Sequence, residues 1–279
     1  MNIIAIVLHI GAAKGIHMHL LYPCDPFNKM KPDEAYEEEF STAQHAGFTW
    51  FPFSYEDFEL GEFKPRPKPA FAGEILYRGW MLTSTRYAQL QGAIESLGAT
   101  VAVSAERYRQ CHYLPEWYER CKDVTPKTIV LLKDDDFAAA LSTTGWSAYF
   151  VKDFVKSLTT SRGSVARSIS EVREVVDLIE RYRGQLEGGV CIRELENLLP
   201  ETEERYFVFR GKAFARDGVV PELVKDVARR IDSPFFSIDV LLNKEGTARL
   251  IELGDGQVSD RKKWSAEAFI EMLSASLTN

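Results

Sequence analysis

The run FFSIDVLLNKEGTARLIELGDGQVS, residues 235–259, restricts this chain more than any other segment. It holds two apolar, strand-like stretches, residues 236–242 and 248–253, joined by the turn-forming Asn243-Lys244-Glu245-Gly246. Each stretch carries one carboxylate among branched residues, Asp239 in the first and Glu252 in the second. Closing the turn as a hairpin puts the two side by side, with Asp255 just beyond. Burying an unpaired carboxylate costs on the order of several kcal/mol. Two facing carboxylates also raise each other's pKa unless a cation sits between them. Either a nearby Arg or Lys neutralises them at a sheet edge, or they hold a hard cation. A few carboxylates plus substrate phosphates are the usual way magnesium is held, so the hairpin is a candidate metal–nucleotide site.

The 279 residues are enough for roughly two ordinary domains. A net charge of -7 argues against a general nucleic-acid binder, which carries a basic surplus. The cysteines Cys24, Cys111, Cys121 and Cys191 form no C-x-x-C pair, which points to a reducing compartment and away from zinc or a disulfide framework. No apolar run reaches the roughly 18 residues of a membrane span. The apolar N-terminus lacks a basic start and is not read as a signal peptide, so a cytoplasmic location is expected. A second possible start, Met18, stands directly before the first clear strand, and residues 1–17 read as an extra strand or a non-native extension.

The first half alternates strand and helix. Strands are expected at residues 20–22, 48–53, 74–78 and 99–103, and helices at 33–47 and 84–97, the second ending on Gly98. This βαβα order predicts a small, mainly parallel α/β sheet with helices on its faces. Turn residues cluster before Thr125-Pro126, so the domains are placed at 1–122 and 123–279. The second half is α+β in order: a strand at 148–152, a polar loop at 157–164, a helix opened by Ser168 and Glu171 and closed by Gly184, strands at 189–194 and 206–209, a helix at 221–230, then the carboxylate hairpin.

Several residues here suit phosphate chemistry, although each has an ordinary structural reading. Lys152 ends an apolar strand and precedes the Ser/Thr/Gly loop, where its ammonium would serve as a point charge on phosphates; strand-end lysines also simply reach solvent. The loop lacks the spacing of a P-loop. The strand Val190–Glu194 runs into Leu195-Glu196 and offers a backbone edge for an adenine, with Glu194 or Glu196 near a ribose. Arg205 opens another apolar strand, where a guanidinium can stabilise charge developing during phosphoryl transfer or pair with Glu203 or Glu204.

In that order, a strand lysine, a small-residue lid, a hinge strand, a strand arginine and a carboxylate hairpin resemble the ATP-grasp superfamily over about residues 123–279. The run Ile-Glu-Leu-Gly-Asp-Gly-Gln-Val is similar to a divergent bacterial and phage clade, the R-two-K group. Its N-terminal motifs resemble Tyr22-Pro23-Cys24-Asp25-Pro26, Tyr77-Arg78-Gly79-Trp80 and Cys111-His112-Tyr113-Leu114-Pro115, which extends the resemblance to residues 18–279. It implies a pre-ATP-grasp-like N-terminal domain followed by an ATP-grasp domain. It also implies Lys152 on ATP phosphates, Arg193-Glu194-Leu195 with Glu196 as the nucleotide hinge, Arg205 as the catalytic arginine, and Asp239 and Glu252 on magnesium. Where many relatives have an asparagine ligand this chain has Gly254, and Asp255 is the substitute the resemblance suggests. Arg78 is assigned either to an acidic substrate across the cleft or to a salt bridge.

The activity implied is ATP- and magnesium-dependent carboxylate–amine ligation through an acyl phosphate, on a small molecule or peptide carrying a carboxylate. A kinase that stops at phosphoryl transfer and a nucleotide-binding module without turnover are the alternatives. No G-x-G-x-x-G follows a strand, which argues against a dinucleotide oxidoreductase.

Overall fold

Residues 18–67 and 73–275 are described by a computed structural model, so the expectation for residues 1–17 lies outside it. In the first half, β1 (Met18–Pro23), β2 (Thr49–Phe53), β3 (Glu74–Tyr77) and β4 (Thr100–Val101) pair in the order β2-β1-β3-β4, all parallel as expected. Parallel neighbours need crossover connections rather than tight turns; α1 (Glu37–His45), α2 (Tyr55–Glu59) and α3 (Ser84–Ser96) lie in them. Helix α3 starts on Thr83, whose side chain accepts the Arg86 N–H, and stops where Gly98 takes φ +87°, a left-handed turn that glycine adopts at little steric cost. The stretch after β4, read as turns, is instead helical: α4 (Ala105–His112), capped by Ser104, runs through Tyr113 into α5 (Leu114–Cys121).

The second half builds two antiparallel sheets. One contains β5 (Thr128–Leu131), β6 (Tyr149–Asp153), β7 (Val165–Ala166) and β8 (Val190–Glu194) in the order β5-β8-β6-β7, with α6 (Phe137–Ser142) and α7 (Ile169–Arg183) packed with it. Ser168 accepts the Glu171 N–H at 3.2 Å, and Val172, Val175, Val176 and Ile179 make the buried stripe expected of α7. The other sheet has β9 (Leu198–Phe209), β10 (Lys212–Phe214), β11 (Phe235–Asn243) and β12 (Ala248–Asp255) in the order β10-β9-β11-β12. Helix α8 (Glu222–Arg230) precedes β11, and α9 (Ala266–Ala275) follows β12.

Pairing thus changes from parallel to antiparallel across residue 122, but the apolar packing does not stop there. Leu20, Tyr22, Phe53 and Leu76 of the first sheet share one core with Phe207, Phe235, Trp264 and Phe269. A separate core joins α5 and α8 to the third sheet through Trp117, Val227, Ile238 and Leu250.

Candidate functional site

The site grows from strand register. Asp239 on β11 is paired with Arg205 on β9 and with Glu252 on β12. Directly opposite residues of antiparallel strands project from the same face, so the three side chains stand in a row. The hairpin thus forms as its pattern implies, with an irregularity in register between Asp239 and Val240.

The charges in this row are neutralised by protein cations. Arg205 grips Asp239 through two parallel bonds, Nε to Oδ1 at 2.8 Å and Nη2 to Oδ2 at 2.7 Å, the geometry that makes Arg–carboxylate pairs specific. Its Nη1 donates to the Asp260 carbonyl at 2.9 Å and to Asp260 Oδ1 at 2.7 Å. Lys262 adds a second cation, with Nζ 3.0 Å from Asp239 Oδ2 and 2.6 Å from Glu203 Oε1.

Lys152 reaches Glu252 from the other antiparallel sheet. Its buried ammonium lies 2.7 Å from Glu252 Oε1, a contact spanning 100 positions of sequence. It therefore turns to the hairpin and not to the 157–164 loop that follows it. Burial opposes the charge on Glu252, but Lys152, with Lys156 and Arg205 nearby, overrides this and holds the carboxyl down to about 2.

A cleft of about 710 Å3 opens over this row. Arg205, Glu252 and Lys262 line one side, and Lys156, His112 and Trp80 line others. The N-terminal half, which supplies His112 and Trp80, therefore helps to wall the site. A family model described as the ATP-grasp domain, R-two-K clade family 3, matches residues 130–273, which takes in the whole row. The chain belongs to this ATP-grasp family.

Solved structures agree on the fold. The ATP-grasp ligase PsnB, complexed with a minimal precursor, Mg and ADP, aligns with a TM-score of 0.59 at 14% identity, over 94% of this chain and 99% of the other. The D-cycloserine synthetase DcsG gives 0.59 at 14% identity, over 93% and 99%. The D-alanine-D-alanine ligase from Coxiella burnetii gives 0.63 at 11% identity, over 94% and 95%. No curated protein matches the sequence.

Within this ATP-grasp chain the residues expected to form the hinge act as struts. Arg193 is buried and crosses from β8 to the other sheet, donating through Nη1 to the Ile251 carbonyl at 2.7 Å and through Nη2 to Thr125 Oγ1 at 2.6 Å. With no carboxylate partner, burial pulls its pKa down to about 10. Glu196 is held by Arg249 in a two-bonded pair at 2.9 and 2.7 Å, Glu194 lies 3.5 Å from Lys127, and the Leu195 N–H donates to Ala148. None of the four lines the cleft.

Two expectations are corrected. Asp255 is not a neighbour of Glu252: strand side chains alternate, and three positions along β12 put it on the opposite face. There it is fully buried and accepts from Gln257 N and Nε2 at 3.0 Å and from Cys111 Sγ at 3.7 Å. Arg78 is buried and engaged through all three nitrogens. Nε and Nη2 grip Glu39 at 2.8 and 2.7 Å, and Nη1 donates to the carbonyls of Gly256, Gln257 and Ser259. It is a clasp between the first sheet and the segment after β12, with each of its nitrogens engaged within the protein although it lines the cleft.

Gly254 also has a steric explanation. A Cβ there would lie 2.9 Å from Ser259 Oγ and 3.0 Å from Ser237 Oγ, two hydroxyls that bond each other at 2.8 Å. The space a larger residue would need is taken by serines.

Asp239 and Glu252 supply hard oxygen donors on one face, and no group of three or more His, Cys, Asp or Glu side chains converges among the described residues. A donor set this small suits magnesium, which is typically held by one or two carboxylates, waters and substrate phosphates. The sequence reading passed over Lys156 and Lys262, and met His112 only inside an N-terminal motif, without a role. Lys156 follows Lys152 by four positions and Lys262 follows the hairpin, but neither spacing marks a ligand site without the fold.

Proposed function

We propose that this chain is an ATP- and magnesium-dependent carboxylate–amine ligase acting in the cytoplasm, on a small molecule or a peptide carrying a carboxylate. The observation that carries the reading is the in-register row Arg205–Asp239–Glu252, with Lys152 of a second sheet bonded directly to Glu252 at its end. A peptide substrate draws support from PsnB and the macrocyclase MdnC, whose structures hold precursor peptides. Among the described residues no helix is long and apolar enough to cross a membrane, and the acidic chain disfavours nucleic acid.

In this reading Lys152 and Arg205 exchange part of their present contacts for phosphate oxygens, with Arg205 still anchored by Asp260. Magnesium, on Asp239 and Glu252, would neutralise phosphate charge. The γ-phosphoryl passes to a substrate carboxylate oxygen as its bond to ADP breaks. The amine then bonds to the acyl carbon, phosphate leaves, and the amine proton departs with it. Positioning and charge compensation carry the catalysis. The segment 194–196 would border the adenine with its backbone, since the Glu194 and Glu196 side chains are engaged elsewhere.

Calorimetry of MgATP binding to native protein and to Glu252→Gln tests the first half of this reading, and hydroxylamine trapping of ATP-dependent hydroxamates from a carboxylate panel tests the second. Magnesium-dependent binding that weakens in the variant, with a hydroxamate formed, is the expected result. A stable phosphorylated product without hydroxamate would indicate a kinase, and binding without ADP release a binding module. No MgATP binding by folded native protein would overturn the proposal.

A further inference from the structure

His112 lines the cleft but takes no part in the arrangement above. It ends α4, so it comes from the N-terminal half, and its ring packs against Tyr108 at 5.1 Å and Tyr113 at 6.1 Å. The side chain is only 9% exposed. Nδ1 accepts a long hydrogen bond, 3.5 Å, from the backbone N–H of Asp255, while Nε2 is buried with no partner. An imidazole that accepts at Nδ1 and is neutral carries its proton on Nε2. Burial, with Lys156, Lys152 and Arg183 adding to it against the pull of Glu252, pushes the pKa down to about 3, so the ring stays neutral.

A buried N–H without an acceptor is a net loss, because its water is not replaced, and such groups are rare enough that each calls for a partner. The charges around this one narrow the choice. Phosphate oxygens are matched by the cations Lys152, Arg205 and Lys262. A neutral N–H suits a less charged oxygen that gains charge only during the reaction, and donors placed for that moment are among the strongest catalytic devices.

We infer that His112, whose Nε2 is closed to solvent in the present arrangement, is uncovered as substrate fills the cleft it lines and donates its Nε2–H to an oxygen of the substrate's carboxyl group, as a catalytic residue of the second step. This rests on the ligase reading. When the amine nitrogen bonds to the acyl carbon, the C=O π electrons move onto that oxygen, and His112 donates to the oxyanion. Collapse then restores C=O and expels phosphate. His112 neither gains nor loses a proton.

The test uses the full chain with MgADP bound and acetate as the carboxylate probe. Long-range 1H–15N NMR, with His112 assigned from the His112→Gln variant, is expected to show the Nε2-protonated neutral tautomer and a shift of Nε2–H on acetate titration. Acetate affinity, read by ligand-observed NMR, should survive in His112→Gln, whose amide places a donor near the Nε2 position. It should fall about tenfold or more in His112→Phe, which fills the ring volume without a donor. Melting temperatures of the three proteins identify any variant that has lost its fold. An Nε2 that does not respond to acetate while MgADP is bound would overturn the role of His112 and leave the nucleotide site standing. Loss of affinity in Phe and Gln alike would reduce His112 to a structural residue. Failure of the native protein to bind MgADP would overturn the ligase reading, and this inference with it.

Discussion

Replacing Arg78 by Met should destabilise the fold while leaving its site chemistry formally intact. Arg78 and Glu39 are each 2% exposed and share two hydrogen bonds. The guanidinium also satisfies three backbone carbonyls and lies 4.5 Å over the Phe269 ring. Breaking a buried pair by removing one partner costs roughly 3–5 kcal/mol, because the other charge stays buried. Glu39 keeps some support here, from Tyr22 Oη at 3.2 Å and Arg261 Nε at 3.7 Å, which puts the loss near the lower end. In a chain of this size each kcal/mol moves the melting temperature by about 2–4 °C, so a fall of roughly 6–12 °C is expected. Glu39→Gln should cost less, and the double variant should melt higher than the sum of the two losses by an amount equivalent to about 0.5–3 kcal/mol of coupling. Circular dichroism melts of the four proteins measure this. An Arg78→Met protein melting within about 2 °C of native but losing the proposed ligase activity would refute the clasp and restore a substrate role.

Asp255 carries a pH prediction. Burial lifts its carboxyl to about 7, against an ordinary aspartate value of 3.8. Between those values the native state binds a proton that the unfolded state has lost, so this group's contribution to stability falls as pH rises from about 4 to 7. Asp255→Asn should therefore flatten the decline, gaining most over native protein above pH 7 and least near pH 4; parallel decline of the two curves in urea titrations would contradict it. At Gly254, substitution by Asn should cost about 1–3 kcal/mol by crowding Ser237 and Ser259, and adding Ser259→Ala should recover part of that loss. If Gly254→Asn melts like native protein, the steric account fails.

Local signals carried most of the sequence reading. The hairpin, helix α7 and the first parallel sheet each rest on a period of apolar residues and on nearby capping or turn residues, so a short window contains the relevant physics. The ion pairs do not work that way. Lys152 looks the same in sequence whether it meets a loop, solvent or a glutamate 100 positions away, and only the packing of two sheets selects Glu252. Arg78 likewise reads equally well as ligand contact or core clasp until Glu39 is placed against it. Helices α4 and α5 went unread although Ser104 offered a cap and Tyr108, Cys111, Leu114 and Trp117 recur at three-residue steps; the intervening polar residues hid the stripe. Asp255 differs, because strand alternation alone already sets it apart from Glu252.

The core shared between the first and third sheets has a practical meaning for anyone dividing this protein. Residues 130–273 match the family model, yet excising them would strip Phe207, Phe235 and Phe269 of their partners Leu20, Tyr22 and Leu76 and leave a broad aromatic face to water. Faces of that kind make a fragment aggregate. The N-terminal half is therefore not a cassette to be exchanged for another specificity domain, and chimeras of this family will need to carry over the matching aromatic surface, or keep both halves from a single parent.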